Sequence, residues 1–440
     1  MIDWNKIGDQ AAELLSQYLQ IESLNPPGDV REAADFLTKQ LKQRGLSIQT
    51  FCAEEKYPNL IARLKGNGSQ APILLYNHVD VVPADPERWT DDPFSGAIRD
   101  GAVWGRGAID MKGMAIMQLL ALELLQKEMP ERSRDIIFYA APDEETGSEF
   151  GTQWMIEHHW DEIEAEFVWD EGGFGLKDFF GPDPVFSVAV AEKKDLWIKL
   201  IAHGEPGHSG MPHDDNAIDI LNDALLKVRS INEKYEVHPI TAKMFQSISE
   251  LMSFPKNLLL KNLKHPLVFQ LLKPMLTENS TIAAMMKDTL SVTKMHAGEK
   301  ENVIPERAEA TLDIRLLPGR SHEAFLDGLR NLIDDERIEI EIIHAPQETS
   351  ISDMDAGFYT ELSMVLADLV PEGVTAPMMT PGTTDSCFFR RKGVNCYGLF
   401  PAIITPEEFA GFHGIDEHIS VENLVLGTRV FYEVLKRMCG

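Results

Sequence analysis

The chain has 440 residues, of which 70 are Asp or Glu and 41 are Lys or Arg, so its formal net charge is −29. This length favours two or three domains, and the 44% hydrophobic share fits ordinary globular cores. Binding to nucleic acid or to an anionic membrane is disfavoured, because phosphate recognition needs clustered Lys and Arg.

The first part of the chain predicts alternating helices and strands. Apolar spacing predicts helices over 4–20, 31–44 and 111–127. Apolar runs predict strands near 46–51, 59–64, 73–76, 135–141 and 165–169. This alternation indicates an α/β sheet that is covered by helices on both faces.

The order of elements then changes to strand-helix-strand-strand-helix-strand, which is typical of the ferredoxin-like split unit. Its predicted elements are strands 195–203, 289–297, 308–316 and 338–343 and helices 217–228 and 321–333. We predict that residues 188–345 form an α+β domain inserted into the first domain, with an extra helical segment over 238–288, which is either core or dimer interface. Residues 1–187 and 346–440 then form the first domain, which ends with helices over 354–369 and 421–436.

The cysteines and the start of the chain bear on its location. Cys52, Cys387, Cys396 and Cys439 show no Cys-x-x-Cys spacing, which fits a reducing compartment better than a disulfide framework. Residues 1–20 carry internal acids and lack the basic start and apolar core of a signal peptide. No run approaches the roughly 18 apolar residues that are needed to span a bilayer. We therefore expect a cytoplasmic protein.

Metal-ligating side chains follow several of the predicted strands and turns. They are His78, Asp80, Asp110, Glu144, Glu145 and Asp170. Because ligands of open α/β sheets bind at the carboxyl ends of strands, we expect these side chains to converge. So many carboxylates in one place need a cation to neutralise them. Imidazole and carboxylate ligands fit zinc and leave manganese or cobalt open, and their number suits two metals with a bridging carboxylate.

Taken singly, several of these residues also have a structural interpretation, and so do His413 and Arg315 further along the chain. His78 and Asp80 could form an ordinary hydrogen bond, and Asp110, Glu145 and His413 could be helix caps or surface charges. Arg315 could pair with Asp313 or Glu309 across a strand. Asp143 and Glu171 flank the predicted ligands and are interpreted as structural.

Five sequence motifs and two further sites run through most of the chain in a known order. They are His78–Pro83 (HVDVVP), Gly105–Gly113 (GRGAIDMKG), Asp143–Gly147 (DEETG), Gly207–Ser209 (GHS), Asn302–Pro305 (NVIP), Arg315 in DIR, and His413–Glu417 (HGIDE). With these motifs the chain resembles the dizinc exopeptidase and deacylase family that includes acetylornithine deacetylase, succinyl-diaminopimelate desuccinylase, aminoacylase, carboxypeptidase S and cytosolic dipeptidases. The resemblance implies a zinc-exopeptidase-like three-layer catalytic domain and a ferredoxin-like lid domain, through which a homodimer can form.

The resemblance also implies a metal site with assigned ligands. Asp110 bridges two divalent ions, and a cis peptide bond follows it. His78 and Asp170 complete one metal site, and Glu145 and His413 complete the other.

Catalytic and substrate-binding roles are implied in the same way. Glu144 is the general base for a water that bridges the metals, and Asp80 orients His78. His208 on the lid stabilises the oxyanion. Arg315 and Asn302 hold the free carboxylate of the substrate. The substrate-pocket loop is 382–386, and it contains Gly382 and Thr383.

Two positions bear on the substrate. Cys387 stands where many relatives have arginine. The sequence therefore leaves open whether the free carboxylate of the substrate is bound on that side of the pocket. At the position matched to Asp170, deacylases of the family often have Glu, whereas dipeptidases and aminopeptidases often have Asp. This choice favours peptide substrates.

We predict a zinc-dependent exopeptidase of the dipeptidase or carboxypeptidase type that acts on small peptides. An N-acyl-amino-acid deacylase of the aminoacylase or acetylornithine deacetylase type is the alternative. A non-catalytic binding protein on the same fold is a third hypothesis. The complete ligand set and Glu144 argue against it, because a protein that only binds needs no base beside the metals.

Overall fold

A computed structural model describes residues 2–231 and 234–440. Residue 1 of the predicted first domain and residues 232–233 of the predicted insert lie outside the described residues. The helices are Trp4–Leu19, Arg31–Gln43, Lys112–Glu128, Thr152–His158, Trp160–Ile163, Ala217–Arg229, Pro239–Ile248, Lys256–Lys261, Pro266–Leu276, Ser280–Ala284, His322–Ile333, Gly357–Leu369, Ser386–Arg391, Pro406–Phe409 and Val421–Cys439.

A large mixed sheet forms the centre of the α/β part. Its strands follow one another across the sheet as Ser47–Cys52, Pro58–Leu64, Ile136–Ala141, Ile73–His78, Phe167–Asp170, Asn395–Gly398, Val185–Glu192, Gly175–Leu176 and Ile403–Ile404, and Val374–Thr380 pairs with Val185–Glu192. Strand Ile73–His78 is parallel to both of its neighbours. The carboxyl ends of these three strands therefore lie at the same edge of the sheet. A small sheet of Ala97–Arg99, Ala102–Trp104 and His418–Ser420 lies apart from it.

The fold class predicted from the sequence is confirmed. Strand Val374–Thr380, which was not predicted, contains Pro377 and pairs with a single neighbour, Val185–Glu192. A proline disfavours a strand assignment because it cannot donate to the ladder, but an outer position tolerates it.

A second sheet has the ferredoxin-like arrangement. Its four strands follow the order Thr289–Ala297, Arg307–Leu316, Lys194–His203 and Ile338–His344, and all neighbours are antiparallel. Alternate residues of Arg307–Leu316 are buried, which is the pattern of a sheet with one covered face. That face packs on helices Ala217–Arg229 and His322–Ile333 and forms a hydrophobic core separate from the larger one. A two-stranded ribbon joins Gly207–His208 to Val303–Ile304.

The helical segment 239–286 packs differently from the rest of the predicted insert. Its buried side chains, which include Met244, Phe245 and Phe269, belong to the larger hydrophobic core and not to the core of the four-stranded sheet. Helix Pro239–Ile248 contacts strand Val374–Thr380 of the large sheet. The boundaries 188–345 remain a prediction, but this part of the insert is built against the α/β part.

Among the described residues, every helix is too short or too polar to cross a membrane.

Candidate metal centre

Three parallel strands bring the predicted ligands to one edge of the large sheet. Strand Ile73–His78 ends with His78 itself, and Phe167–Asp170 ends immediately before Glu171. The neighbouring strand Ile136–Ala141 leads through Pro142 and Asp143 into the turn Glu144–Thr146. Asp143 and Gly147 bound this turn in left-handed conformations, with φ of 69° and 103°.

Asp110 lies at the centre of the cluster and contacts two histidines. Its Oδ1 is 3.0 Å from His78 Nε2, and its Oδ2 is 2.8 Å from His413 Nε2. The two oxygens of one carboxylate thus face different imidazoles, as a bridging ligand requires. The peptide bond between Asp110 and Met111 is cis, as the resemblance implied.

Two further carboxylates complete two groups of potential ligands. Glu171 Oε1 is 3.5 Å from His78 Nε2, and Glu145 Oε2 is 3.6 Å from His413 Nε2. In each group the ligand atoms lie within 4.8 Å of one another: His78, Asp110 and Glu171 in one, and Asp110, Glu145 and His413 in the other. Asp110 is common to both groups.

The structure corrects the choice of Asp170 as a ligand. The Asp170 carboxylate accepts hydrogen bonds from the backbone N–H of Ser386 at 2.9 Å, from its hydroxyl at 2.7 Å, and from the N–H of Glu171 at 2.7 Å. These donors hold it towards loop 382–386, whereas Glu171, interpreted above as structural, faces His78. The adjacent acidic pair was the available signal, and the geometry favours its other member, Glu171. The argument from Asp170 for peptide substrates therefore loses its support.

The electrostatics of the cluster fit divalent cations. Burial and the Asp110 charge raise the pKa of Glu145 to about 9 and that of Glu171 to about 8. Burial lowers the pKa of His78, but hydrogen bonds with Asp110, Asp80 and Glu171 outweigh it and raise that pKa. Glu145 Oε1 is buried without a hydrogen-bond partner among the described residues. Carboxylates clustered with imidazoles, one of them with an unsatisfied buried oxygen, are the donor set that zinc or manganese takes.

Asp80 supports both His78 and the turn that carries Glu144 and Glu145. His78 Nδ1 is 2.9 Å from the backbone oxygen of Asp80 and 3.5 Å from its carboxylate. The carboxylate also accepts the N–H groups of Glu144 at 3.3 Å and Glu145 at 3.1 Å, and the amide of Asn25 at 3.0 Å. Burial and the charge of Glu171 raise the pKa of Glu144, which suits a group that accepts a proton.

Glu417 is a supporting residue to which the sequence analysis gave no role, although it closes the motif that begins at His413. It is fully buried, and its Oε1 accepts the N–H groups of Ile109 at 2.7 Å and Asp110 at 3.1 Å. Its Oε2 accepts Arg106 Nη1 at 2.6 Å, and Arg106 Nη2 donates to the oxygen of Gly414 at 2.7 Å. Glu417 and Arg106 therefore join the turn of Asp110 to the loop of His413.

The predicted substrate-binding residues form two separate groups. Arg315 donates to Asp313 at 2.8 Å, as the structural interpretation had it, and also to Thr383 Oγ1 at 3.0 Å. Arg315 thus connects the lid sheet to the loop that contains Gly382.

His208 and Asn302 lie side by side on the lid ribbon. The N–H of Ser209 donates to Asn302 O at 3.2 Å. His208 accepts a hydrogen bond from the N–H of Gly210. No hydrogen bond within residues 2–231 and 234–440 joins either residue to the metal cluster. Cys387 is buried, and burial raises the pKa of its thiol, so it supplies no charge to a substrate.

Comparison with known proteins gives one family model and several relatives. Residues 74–437 match the model of peptidase family M20/M25/M40. The N-fatty-acyl-amino acid synthase/hydrolase PM20D1 of Homo sapiens is 33% identical over 394 residues, covering 87% of this chain and 77% of that protein. The probable carboxypeptidase S-like 2 of Dictyostelium discoideum is 31% identical over 389 residues, covering 86% of this chain and 74% of that protein. The fold resembles the M20 family metallo-carboxypeptidase Sso-CP2 from Sulfolobus solfataricus, with a TM-score of 0.71, 20% identity and coverage of 97% and 98% of the two chains.

The assignment of Glu171 can be tested by metal analysis. Glu171→Ala removes one carboxylate of the His78 group, so bound metal should fall from two ions per chain to about one. Asp170→Asn should keep both ions, because this side chain faces Ser386. Elemental analysis after dialysis against trace metal measures both variants. Loss of an ion in Asp170→Asn but not in Glu171→Ala would restore the original choice.

The role of Glu417 predicts a loss of function without unfolding. In Glu417→Gln the amide NH2 would face the N–H of Gly107 or Arg106, which are donors themselves. We expect metal affinity or kcat/KM to fall roughly 10- to 100-fold. Glu407→Gln, an exposed change nearby, is the matched control and should behave as the parent chain. Titration with metal measures the affinity, and circular dichroism shows whether the variant is still folded. An unchanged metal affinity and kcat/KM in Glu417→Gln would contradict this role.

Proposed function

This chain belongs to peptidase family M20/M25/M40, and from that premise we propose that it hydrolyses an amide bond next to a free carboxylate, in small peptides or in N-acyl amino acids. Enzymes of this family are metal-dependent hydrolases of peptide and amide bonds. The observation that carries the proposal is the pair of ligand groups that share Asp110, with Glu144 on the turn beside them.

The proposed ligands are His78, Asp110 and Glu171 for one ion and Asp110, Glu145 and His413 for the other. Bound there, two divalent ions would supply Lewis acidity and would lower the pKa of water at the site. The absence of thiolates from the donor set fits zinc and also allows manganese or cobalt.

Glu144 would take the proton from the attacking water while the water oxygen bonds to the carbonyl carbon of the substrate. When the C–N bond breaks, Glu144 would pass that proton to the leaving nitrogen, which gives an amine and a carboxylic acid that then ionises. The support is the position of Glu144 beside Glu145, whose carboxylate takes part in the ligand cluster. Asp80 would act as a positioning residue, because it holds the backbone of this turn.

Arg315 and Asn302 are proposed to recognise the free carboxylate, and His208 to stabilise the oxyanion. Arg315 is supported by its contacts with Asp313 and Thr383, which fix the guanidinium at the border between lid and loop. Because two hydrogen bonds of Arg315 go to Asp313, its charge is partly neutralised. Anchoring of the carboxylate therefore also needs the lid ribbon of His208 and Asn302.

Peptides and N-acyl amino acids both remain candidate substrates. The similarity to a carboxypeptidase S-like protein supports the exopeptidase hypothesis. Two observations favour the deacylase alternative: the proposed ligand is Glu171, the residue type found in many deacylases at this position, and a relative at 33% identity is named as an N-fatty-acyl-amino acid synthase/hydrolase.

Location and assembly are also proposed. Four unpaired cysteines, three of them buried, support a cytoplasmic location. A homodimer through the lid is supported by Thr289–Ala297, an edge strand of the lid sheet that is largely exposed.

The role of Glu144 predicts a variant that binds metal but does not turn over. Glu144→Gln keeps the shape of the side chain and cannot accept a proton, so kcat should fall about 10²- to 10⁴-fold with both ions bound. Glu149→Gln, an exposed change on the same loop, is the matched control. Steady-state kinetics with metal analysis measures both, and a fully active Glu144→Gln would refute the proposed base.

A substrate panel tests whether a free carboxylate is required, and it shows which of the two substrate classes has the higher kcat/KM. Dipeptides, acetylated amino acids and long-chain N-acyl amino acids should each be compared with their carboxamide analogues. Because hydrogen bonds to a charged carboxylate are strong, we expect kcat/KM for the carboxamides to be lower by about tenfold or more. Arg315→Ala should remove most of that preference. Equal rates for acids and carboxamides would disprove the requirement for a free carboxylate.

A further inference from the structure

Residues 252–277 differ in charge from the rest of the chain. They contain Lys256, Lys261, Lys264 and Lys273 and no Asp or Glu, although the whole chain has a net charge of −29. Lys256, Lys261 and Lys264 are exposed. This segment is therefore a local basic surface on an acidic protein.

The same segment exposes large apolar side chains. Phe254, Leu258, Leu267, Leu271 and Met275 are between 55% and 78% exposed; we call these five residues the apolar patch. Leu267, Leu271 and Met275 are spaced by four residues on helix Pro266–Leu276, so they share one face. Phe269 and Leu276 of that helix are buried in the larger core, which anchors the helix while its other side faces solvent.

Leu267, Leu271 and Met275 give one helix a continuous exposed apolar face, with Phe254 and Leu258 exposed on the preceding segment, and an exposed apolar face of this kind marks a binding surface. We propose that the apolar patch and its three exposed lysines dock on an anionic lipid surface. An interfacial helix inserts its apolar face about 5–10 Å into the boundary between headgroups and acyl chains. Lysines beside the face keep their ammonium groups at the level of the lipid phosphates.

Charge distinguishes this occupant from a second copy of the chain. A two-fold contact through the patch would bring together two surfaces that both carry Lys256, Lys261 and Lys264, and their like charges would repel. The total charge of −29 does not prevent docking, because the Debye length is about 8 Å at physiological ionic strength. Carboxylates beyond that distance are screened, and the segment itself has none, although Glu250 and Glu278 flank it. Glu236, which lines the same cavity as Lys264 and Pro266, is paired with Arg320. The net charge of the whole chain disfavours binding to anionic membranes, and this local basic surface is an exception to that expectation.

The proposal is tested with the full chain and vesicles of defined composition. The metal-loaded protein is mixed with vesicles of phosphatidylcholine alone and with vesicles of equal parts phosphatidylcholine and phosphatidylglycerol, and bound protein is measured by flotation. We expect binding to the anionic vesicles, weaker binding to the neutral ones, and release at high salt. Leu271→Trp adds a reporter whose fluorescence should shift to the blue on anionic vesicles.

Variants separate the apolar and basic contributions. Neutralising Lys256, Lys261 and Lys264 together as Gln should weaken binding roughly a hundredfold, since each basic residue contributes about fivefold. Leu267→Ser with Leu271→Ser and Met275→Ser should abolish insertion, and these exposed changes should leave the folded state intact. The control for the serine variant is Ile98→Ser with Met364→Ser, two exposed apolar positions outside the patch. The control for the glutamine variant is Lys39→Gln with Lys42→Gln, two exposed lysines outside it. Hydrolysis of a soluble substrate should be unchanged in every variant.

Three results would overturn the proposal. The parent chain fails to float with anionic vesicles, or the patch variants bind as well as the controls. In the third, the serine variants change only the oligomeric state in lipid-free solution, which would assign the patch to a second copy of the chain. Because the readout is vesicle binding, the outcome does not depend on the proposed hydrolysis.

Discussion

The contact of Asp110 with two histidines is the constraint on which the rest of the site depends. His78 ends a central strand, whereas His413 lies on a loop 303 residues after Asp110. One carboxylate can face both imidazoles only if the two segments are held in fixed register. Glu417 supplies that restraint, because it binds the backbone of the Asp110 turn from the same loop that carries His413. The proposed metal centre thus lies at a junction of two distant parts of the chain.

Buried charged side chains beside the ligand cluster position the loop 382–386. Asp170 does not face the metal cluster, but it holds Ser386 of the substrate-pocket loop. Thr384 of the same loop donates to Glu192, which pairs with buried Arg390 at 3.0 Å. A buried ion pair contributes little net stability, but it fixes geometry when its partners are also hydrogen-bonded. The loop is therefore positioned by the strand that leads into the lid, which couples lid and pocket.

The sequence predicted well what depends on local pattern, and less well what depends on packing. Apolar periodicity located most strands and helices, and strand ends located the ligand cluster. Periodicity could not decide between Asp170 and Glu171, because the choice depends on the donors around each carboxylate. Glu417 was missed because its partners are backbone N–H groups, which have no sequence signature. Strand Val374–Thr380 was not predicted because it contains a proline. The sequence also could not show which hydrophobic core the segment 239–286 joins, because that depends on tertiary packing.

The hydrogen bonds between Glu417 and the Asp110 turn also have a consequence for biosynthesis. A ribosome releases the N-terminal segments first, so His78, Glu145 and Glu171 leave the exit tunnel long before His413 and Glu417. Until His413 and Glu417 have been translated, four of the five proposed ligands are present, but the group of Asp110 and Glu145 lacks its imidazole and the Asp110 turn lacks its carboxylate acceptor. A translation product that stops before His413 would therefore lack a complete pair of ligand groups.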